Sequence, residues 1–272
     1  LLACPFQWVT TYLGRLSGGF TATLPEPDNL EGWFVHAVAA KVLEEGIATP
    51  QEAAEKAQRV FEELGPKLAA QFFLPGFDHF RAQVQNTTKN AVQELYGLIN
   101  RCGFQIEGVE PTYTQPIPSL GITLQGTPDL VLKKPLAVLD MKRGGEKYRE
   151  AELKNGTSVQ LAVYRRLLRN TPKTSFPPAA YFMLKAGRLS TISPAEFGQD
   201  IGVEGVCLEE TWEAIKNGYT QTRQEMHQGE VRAPGNAPER LKESAIVDDR
   251  LCLKPCAFCD LHIVCGQAFG EN

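Results

Sequence analysis

Long apolar runs are missing from this sequence of 272 residues, and so is any dense set of cysteines. No stretch of roughly eighteen or more apolar residues occurs, so we expect no membrane-spanning helix and no membrane partner. Seven cysteines are too few for a small disulfide-stapled scaffold. The formal net charge is only −4, which argues against a protein that coats nucleic acid nonspecifically. The phosphate-loop pattern G-x4-G-K-[ST] is also absent, so any ATP-driven motor would belong to another domain or a partner.

The composition that remains is that of a folded protein. Hydrophobic residues make up 43% of the chain and charged residues 22%, both ordinary values for globular domains. A chain of 272 residues is long enough to bury a substantial core. Because it begins with Leu1 rather than Met, we expect it to be a fragment of a longer polypeptide.

Hydrophobic periodicity predicts an α/β fold in which helices come first and strands follow. Helices are expected over 5–17, 30–45, 51–73, 77–102, 158–169 and 208–228. Strands are expected over 104–118, 122–125, 129–132, 137–141, 179–185 and 188–192. We interpret residues 1–272 as a single domain with a helical insertion at about 46–102, a core at about 103–195 and a cysteine-rich tail at about 240–272.

The tail contains three closely spaced cysteines in the pattern C-x2-C-x5-C, which are Cys256, Cys259 and Cys265. Thiolates at such spacing converge on one ion, and thiolate-rich sites select zinc or an iron–sulfur cluster. Spacing alone leaves the fourth ligand open among Cys252, Cys4 and His262. A histidine ligand would suit zinc better than a cluster. Either metal requires reduced thiols, which favours a cytoplasmic location.

The choice of fourth ligand decides whether the metal joins the two ends of the chain. With Cys4 as the ligand, the site would tie the first helix to the tail and close a very long loop, where a crosslink has the largest entropic effect in theory. The alternative is that cysteines act as small buried hydrophobic residues. That alternative is favoured for the isolated Cys102 and Cys207.

Two acidic motifs end neighbouring predicted strands, Gly126-Thr127-Pro128-Asp129 and Asp140-Met141-Lys142. A strand–turn–strand between them would direct both aspartates into one site, and paired carboxylates suit Mg²⁺ or Mn²⁺. Asp140 and Lys142 lie two residues apart on a strand and therefore face the same side, with the Met141 carbonyl also available to a metal. A lysine beside the metal could offset charge that builds up on a phosphate. Asp-x-Lys alone occurs by chance, so its meaning depends on the accompanying motifs.

Two helical motifs are ordinary when each is taken by itself. Gly32-x3-His36 lies on the first long predicted helix, where a lone histidine is more often a packed residue than a ligand. Gln160 and Tyr164 lie four residues apart and share one helix face, as in many polar stripes.

Taken in chain order, these motifs resemble the RecB-type PD-(D/E)xK nucleases that carry an iron–sulfur cluster. An early Cys-Pro-Phe, then G-x3-H, G-x-P-D, D-x-K, G-x3-Q-x3-Y and C-x2-C-x5-C run from Cys4 to Cys265. The likeness is greatest to the nuclease domain of the B subunit of AddAB-type helicase–nucleases, and CRISPR adaptation nucleases have a similar layout. The resemblance implies a restriction-endonuclease-like fold, with a central mixed sheet flanked by helices and a cluster joining the N- and C-terminal segments.

The resemblance also implies a role for each matching residue. The ligands of Mg²⁺ or Mn²⁺ would be His36, Asp129, Asp140 and the Met141 carbonyl. The catalytic set would be Lys142, Asp129 and Asp140, with Gln160 and Tyr164 contacting substrate or shaping the site. A [4Fe-4S] cluster would be held by Cys4, Cys256, Cys259 and Cys265, with zinc as the less favoured occupant and Cys252 as a bystander. Glu110 would match the upstream acidic residue of the superfamily, and Asp140 stands where the family often has glutamate.

A basic run brackets the D-x-K motif. Between Lys133 and Lys173 there are eleven Lys or Arg residues and only four acids. Most such runs are solvated faces, but here the run would line a groove for a phosphate backbone. The candidate DNA contacts are Arg143, Lys147, Arg165 and Arg166, and Tyr148 is a candidate for stacking on bases.

The sequence therefore favours a metal-dependent DNA nuclease of repair or recombination, acting as an exonuclease on single-stranded DNA or DNA ends, with a helicase partner subunit or domain. A CRISPR-adaptation nuclease is one alternative. Another is a DNA-binding module with a structural iron–sulfur or zinc site and little nuclease activity. A zinc-bound structural protein, in which both acidic motifs are accidental, is the third.

Overall fold

The computed structural model describes residues 1–16, 27–169, 175–234, 244–253, 256, 259–261 and 263–266. His262, the alternative zinc ligand, and Lys173, the end of the basic run, lie outside these residues. Within the described ranges, no helix combines the length and the apolar character that a membrane crossing requires.

Seven α-helices occur in the described part of the chain. They are α1 (Pro5–Trp8), α2 (Pro27–Leu43), α3 (Pro50–Leu68), α4 (Asp78–Arg101), α5 (Glu146–Lys154), α6 (Val159–Leu168) and α7 (Leu208–His227). A π-helical segment, Val9–Leu13, follows α1 directly. Short 3-10 turns occur at Ala70–Phe73, Pro118–Leu120 and Pro194–Phe197.

The described strands form one large sheet and two hairpins. They are β1 (Gln105–Val109), β2 (Tyr113–Ile117), β3 (Ile122–Gly126), β4 (Leu130–Lys133), β5 (Ala137–Lys142), β6 (Ala179–Met183), β7 (Arg188–Ser190), β8 (Ala245–Val247) and β9 (Arg250–Cys252). The large sheet has the order β1-β4-β5-β6-β7, while β2–β3 and β8–β9 pair separately. Only β5 and β6 pair in parallel in the large sheet, and α5 and α6 connect them. The expected α/β fold with a mixed central sheet is confirmed.

The sheet is covered on both faces. Alternate residues of β5, such as Leu139 and Met141, belong to the core formed with α2, α3 and α4. Val138 of β5 and Tyr181 of β6 belong to a second core, which contains residues of α6. Because side chains alternate between the faces of a strand, the residues two and four positions after Val138 in β5 also face α6.

The long helix predicted over 51–73 is shorter in the structure. Thr49 caps the start of α3 through a capping box with Glu52, which satisfies backbone groups that would otherwise be unpaired. The helix ends at Leu68 and the chain folds back, so that a side-chain carbon at Gly65 would lie 2.1 Å from the Phe73 ring. Glycine at this position leaves the space that the ring occupies.

The single strand predicted over 104–118 is wrong, because the chain breaks into β1 and β2 in different sheets. Glu110 has a left-handed backbone (φ 49°) between them, and Pro111 has no backbone N–H to continue a ladder. Two further elements, α5 and the β8–β9 hairpin, were not predicted from the sequence. The first helix is also shorter than predicted, since the α-helical part ends at Trp8.

Candidate active site

The two aspartates come together at the end of the β4–β5 hairpin. Leu130 pairs with Leu139 across the two antiparallel strands, so continuing the register places Asp129 opposite Asp140. The backbone N–H of Met141 donates to Oδ2 of Asp129 at 2.5 Å, which ties the Asp129 carboxylate to the neighbouring strand. The hairpin therefore brings together the carboxylates that the sequence placed in one site.

Asp140 is fully buried, with a relative exposure of 0%. Its Oδ1 has no hydrogen-bond partner among the described residues. The ammonium group of Lys142 lies 2.7 Å from Oδ2 and forms an ion pair with it. Buried polar atoms are nearly always satisfied in native proteins, so the unpaired Oδ1 is an exception that points to a further cation beside Lys142.

Burial sets the protonation of the carboxylates. It raises the pKa of Asp140, the negative charge of Asp129 raises it further, and Lys142 opposes both effects. Burial also raises the pKa of Asp129, against the hydrogen bond from Met141. Two carboxylates that share a buried site resist ionisation until a positive charge joins them.

His36 reaches the same site from α2. Its Nδ1 lies 4.0 Å from Oδ2 of Asp129. Burial lowers the pKa of His36, and Lys142 lowers it further, so the imidazole is neutral at neutral pH, which is the form that binds metals. Glu110 acts electrostatically on both His36 and Asp129, which places this acidic residue beside the site.

A chain of hydrogen bonds holds the lysine. Nζ of Lys142 donates to Oε1 of Gln160 at 3.0 Å, and Nε2 of Gln160 donates to the Tyr164 hydroxyl at 2.9 Å. That hydroxyl donates in turn to the Thr127 carbonyl at 3.0 Å. The G-x3-Q-x3-Y helix is thereby connected both to Lys142 and to the loop that carries Asp129.

Local packing and backbone geometry explain why two positions of the motifs are glycine. A side-chain carbon at Gly126 would lie 2.8 Å from Leu167 and 3.2 Å from the Tyr164 ring, so glycine allows α6 to pack against the end of β3. Gly156 has φ 68°, in the left-handed region that glycine tolerates, where the chain turns from α5 into α6. This turn directs Gln160 towards Lys142.

The residues present fit a divalent cation by their chemistry. Within the described ranges, no three His, Cys, Asp or Glu side chains are grouped closely enough to be recognised as a metal site. The buried carboxylate of Asp140 with its unpaired Oδ1, the adjacent Asp129 and a neutral His36 are nevertheless the hard oxygen and imidazole donors that Mg²⁺ or Mn²⁺ accept. The Met141 carbonyl is the fourth predicted donor.

The predicted DNA-contacting cations have different surroundings. Nη2 of Arg143 contacts Glu31 at 2.5 Å and Asp28 at 3.2 Å, both on α2. Nη1 of Arg166 donates to Oε1 of Gln115 at 2.6 Å, under the β2–β3 hairpin. Lys147 is exposed in the first turn of α5.

Arg165 does not fit the predicted role of a DNA contact. Only 7% of the residue is exposed. Its Nη1 and Nη2 donate to the two carboxylate oxygens of Glu209 at 2.9 and 2.8 Å, and its Nε donates to the Pro177 carbonyl at 2.5 Å. The guanidinium therefore joins α6 to α7 and faces away from solvent, so the charge pattern was misleading at this position.

The two ends of the chain approach each other near the cysteines. Burial raises the pKa of Cys4, and the nearby Cys259 and Cys265 raise it further. Cys4 also caps α1, since its sulfur accepts from the Gln7 N–H at 3.3 Å. No three cysteines of the described part are grouped as metal ligands, so the predicted cluster rests on the sequence pattern and on this proximity.

Sequence reasoning missed Arg149, Glu31 and Tyr181 near the site. Asp140 acts electrostatically on Arg149 and on Tyr181, and Glu31 is the buried partner of Arg143. The charge pair of Arg149 with Glu152, three residues apart, is a helix signal that would have revealed α5. Nothing local in the sequence identifies Glu31 or Tyr181.

A mixed sheet presents two adjacent aspartates, a lysine two residues beyond the second and a neutral histidine, an arrangement suited to hydrolysing phosphodiesters with a metal ion. The family model of the PD-(D/E)XK nuclease superfamily matches residues 1–266, and the chain belongs to this superfamily. It is thus a nuclease-type hydrolase domain, of a kind that typically uses Mg²⁺ or Mn²⁺. No curated protein matches the chain.

Proposed function

We propose that the protein is a metal-dependent deoxyribonuclease that degrades single-stranded DNA or DNA ends as an exonuclease in repair or recombination. The observation that carries this proposal is the buried Asp140 carboxylate, which lies beside Asp129, pairs with Lys142 through Oδ2 and has no hydrogen-bond partner for Oδ1 among the described residues. A helicase subunit or domain would supply unwinding.

His36, Asp129, Asp140 and the Met141 carbonyl would hold Mg²⁺ or Mn²⁺. A divalent ion held there would polarise the phosphodiester and lower the pKa of a water molecule. In the reaction, water adds to phosphorus and the P–O3′ bond breaks, which leaves a 5′-phosphate and a 3′-hydroxyl.

Lys142 is the residue we assign to charge stabilisation at the reacting phosphate. Its ammonium is held between Asp140 and Gln160, and a fixed positive charge lowers the barrier where negative charge develops. Gln160 and Tyr164 set the direction of the lysine through their hydrogen bonds. They are positioning residues in this scheme.

The DNA backbone would pass over the rim formed by the start of α5. Lys147 is exposed there, and Arg143 and Arg166 are half-buried on the elements to either side. Each of these cations would contribute a sequence-independent phosphate contact.

The test is degradation of end-labelled single-stranded DNA with Mg²⁺ or Mn²⁺ by anaerobically purified protein. Lys142→Ala should abolish cleavage, while Lys154→Ala, an exposed lysine at the far end of α5, should leave it unchanged. Equal cleavage by Lys142→Ala and the wild type would refute the assignment. If the folded wild type cuts nothing, the binding-module alternative takes its place.

The four cysteines Cys4, Cys256, Cys259 and Cys265 would hold a [4Fe-4S] cluster. The proximity of Cys4 to Cys259 and Cys265 supports this assignment. Cys4→Ser should lower the iron and sulfide content and the visible absorption, whereas Cys207→Ser, in the cap of α7, should not. Zinc without iron in the wild type would favour the zinc alternative.

A further inference from the structure

A cleft of about 870 Å³ opens beside the catalytic lysine. Helices α5 and α6, the end of β3 and Tyr181 of β6 form its walls, and Gln160, the partner of Lys142, lies at one side. The lining is largely apolar and aromatic, with Tyr148, Val163, Tyr164 and Tyr181 among its residues. Ligand sites typically have roughly this volume and a few placed polar groups in an apolar lining.

Arg149 is the cationic group of this cleft. Its guanidinium lies 5.4 Å from the centre of the Tyr181 ring and 5.1 Å from that of Tyr148. Nη1 pairs with Glu152 at 2.7 Å, but the buried Nε has no hydrogen-bond partner among the described residues. Asp140 acts electrostatically on Arg149, so this cleft-lining guanidinium lies within range of the charge of the catalytic carboxylates.

Tyr148 provides an accessible aromatic surface at the same place. It is 58% exposed and lines the cleft from the first turns of α5. An exposed tyrosine next to an arginine whose side chain is 25% exposed is suited to a ligand that has both a flat ring and an anionic group. Nucleotides have both, since bases stack on aromatic side chains and arginine binds phosphate.

We propose that this cleft is a subsite for one unpaired nucleotide of the DNA strand, adjacent to the scissile phosphate. Its base stacks on Tyr148, and its phosphate accepts from Arg149. A base inside a duplex is stacked between its neighbours and must leave the stack to enter such a pocket. The cleft therefore gives a physical reason for a single-strand preference, and this inference rests on the proposed nuclease function.

The test measures binding without metal, so that it does not depend on cleavage. Fluorescence anisotropy in EDTA would compare a fluorescein-labelled oligothymidylate with a blunt-ended hairpin duplex. Tyr148→Ala removes the stacking surface, and Ala151→Trp fills the cleft from an exposed position on α5. Tyr148→Phe keeps an aromatic ring, and Ala82→Trp on an exposed position of α4 is the matched control.

We expect Tyr148→Ala and Ala151→Trp to weaken binding of the oligothymidylate by roughly 5- to 150-fold, the range of one base stacking contact. Duplex binding should not change, and Tyr148→Phe and Ala82→Trp should bind as the wild type does. If the wild type and both cleft variants bind the oligothymidylate with equal affinity, or if none of them binds it, the subsite is refuted. This holds even if the nuclease is active. If the wild-type protein cuts no DNA but binds the oligothymidylate, and the cleft variants lose this binding, the subsite is supported and the proposed function is refuted.

Discussion

Arg143, the first residue after β5, forms an ion pair with Glu31 of α2, with Nη2 2.5 Å from Oε2. The arginine directly follows Lys142, the proposed catalytic lysine, and the glutamate precedes the predicted ligand His36 by little more than one helical turn. A side-chain carbon at Gly32 would lie 3.6 Å from Cδ of Arg143, so the aliphatic part of the arginine lies close to the helix at this glycine. The pair therefore fixes the helix that carries the histidine against the strand that carries the lysine.

Replacing Arg143 with alanine should lower the free energy of unfolding by about 1–3 kcal/mol, because it leaves the buried Glu31 without its partner. Urea denaturation would measure this loss. Arg143→Ala combined with Glu31→Gln should recover part of the stability, since no unpaired charge remains. If the single variant keeps its stability, the ion pair with Glu31 does not stabilise the fold, whether or not Arg143 also contacts DNA.

Arg165→Lys tests the structural role of the second arginine. Lysine cannot form the two parallel hydrogen bonds to Glu209 or reach the Pro177 carbonyl with an Nε donor. We expect a loss of about 1–3 kcal/mol in unfolding free energy and no change in the affinity of the folded protein for single-stranded DNA. Lys147→Ala, which removes an exposed cation, should show the reverse pattern. Reduced DNA affinity with unchanged stability in Arg165→Lys would contradict the structural role.

The parts of the site that could be predicted from the sequence are those whose geometry is local. Asp129 and Asp140 face each other because a short hairpin joins two strands, and Asp140 and Lys142 share a side because strands alternate every second residue. Gln160 and Tyr164 share a face because a helix repeats in about four residues.

The parts that could not be predicted depend on distant partners. Glu31 lies 112 residues before Arg143, and Glu209 lies 44 residues after Arg165. A count of charges treats such arginines as solvated cations, because it contains no information on which acids pack against them. The cleft was missed for a similar reason, since α5 had not been recognised and Tyr181 reaches it from β6.

Asp140→Asn should change how stability depends on pH. Burial raises the pKa of Asp140 to about 6, above the ordinary aspartate value of about 4. Between these values the folded protein binds more protons than the unfolded chain, so this group makes folding less favourable as pH rises through the interval. In EDTA, the stability of Asp140→Asn relative to the wild type should therefore increase from pH 4 to about 7, by on the order of 2 kcal/mol.

Thermal or urea unfolding at several pH values, in EDTA and with Mg²⁺ or Mn²⁺, would measure this difference. The metal should stabilise the wild type through binding to the folded state and leave Asp140→Asn largely unaffected. Asp78→Asn, in an exposed ion pair with Arg81, is a control that keeps the metal response. A pH-independent difference between wild type and Asp140→Asn would contradict the raised pKa of this carboxyl group.

Tyr164→Phe separates two roles of Tyr164, the positioning of the proposed catalytic lysine and the packing of the helix. Phenylalanine keeps the ring that lies against Gly126 but removes the hydroxyl that joins Gln160 to the Thr127 carbonyl. Gln160 then loses its hydrogen bond to the Tyr164 hydroxyl. We therefore expect kcat to fall about tenfold, equivalent to about 1.4 kcal/mol of barrier, with a small change in KM. A merely structural hydroxyl would lower stability and leave kcat of the folded protein unchanged. Single-turnover cleavage of end-labelled single-stranded DNA, beside urea denaturation of the same variant, separates the two roles because each readout responds to only one of them.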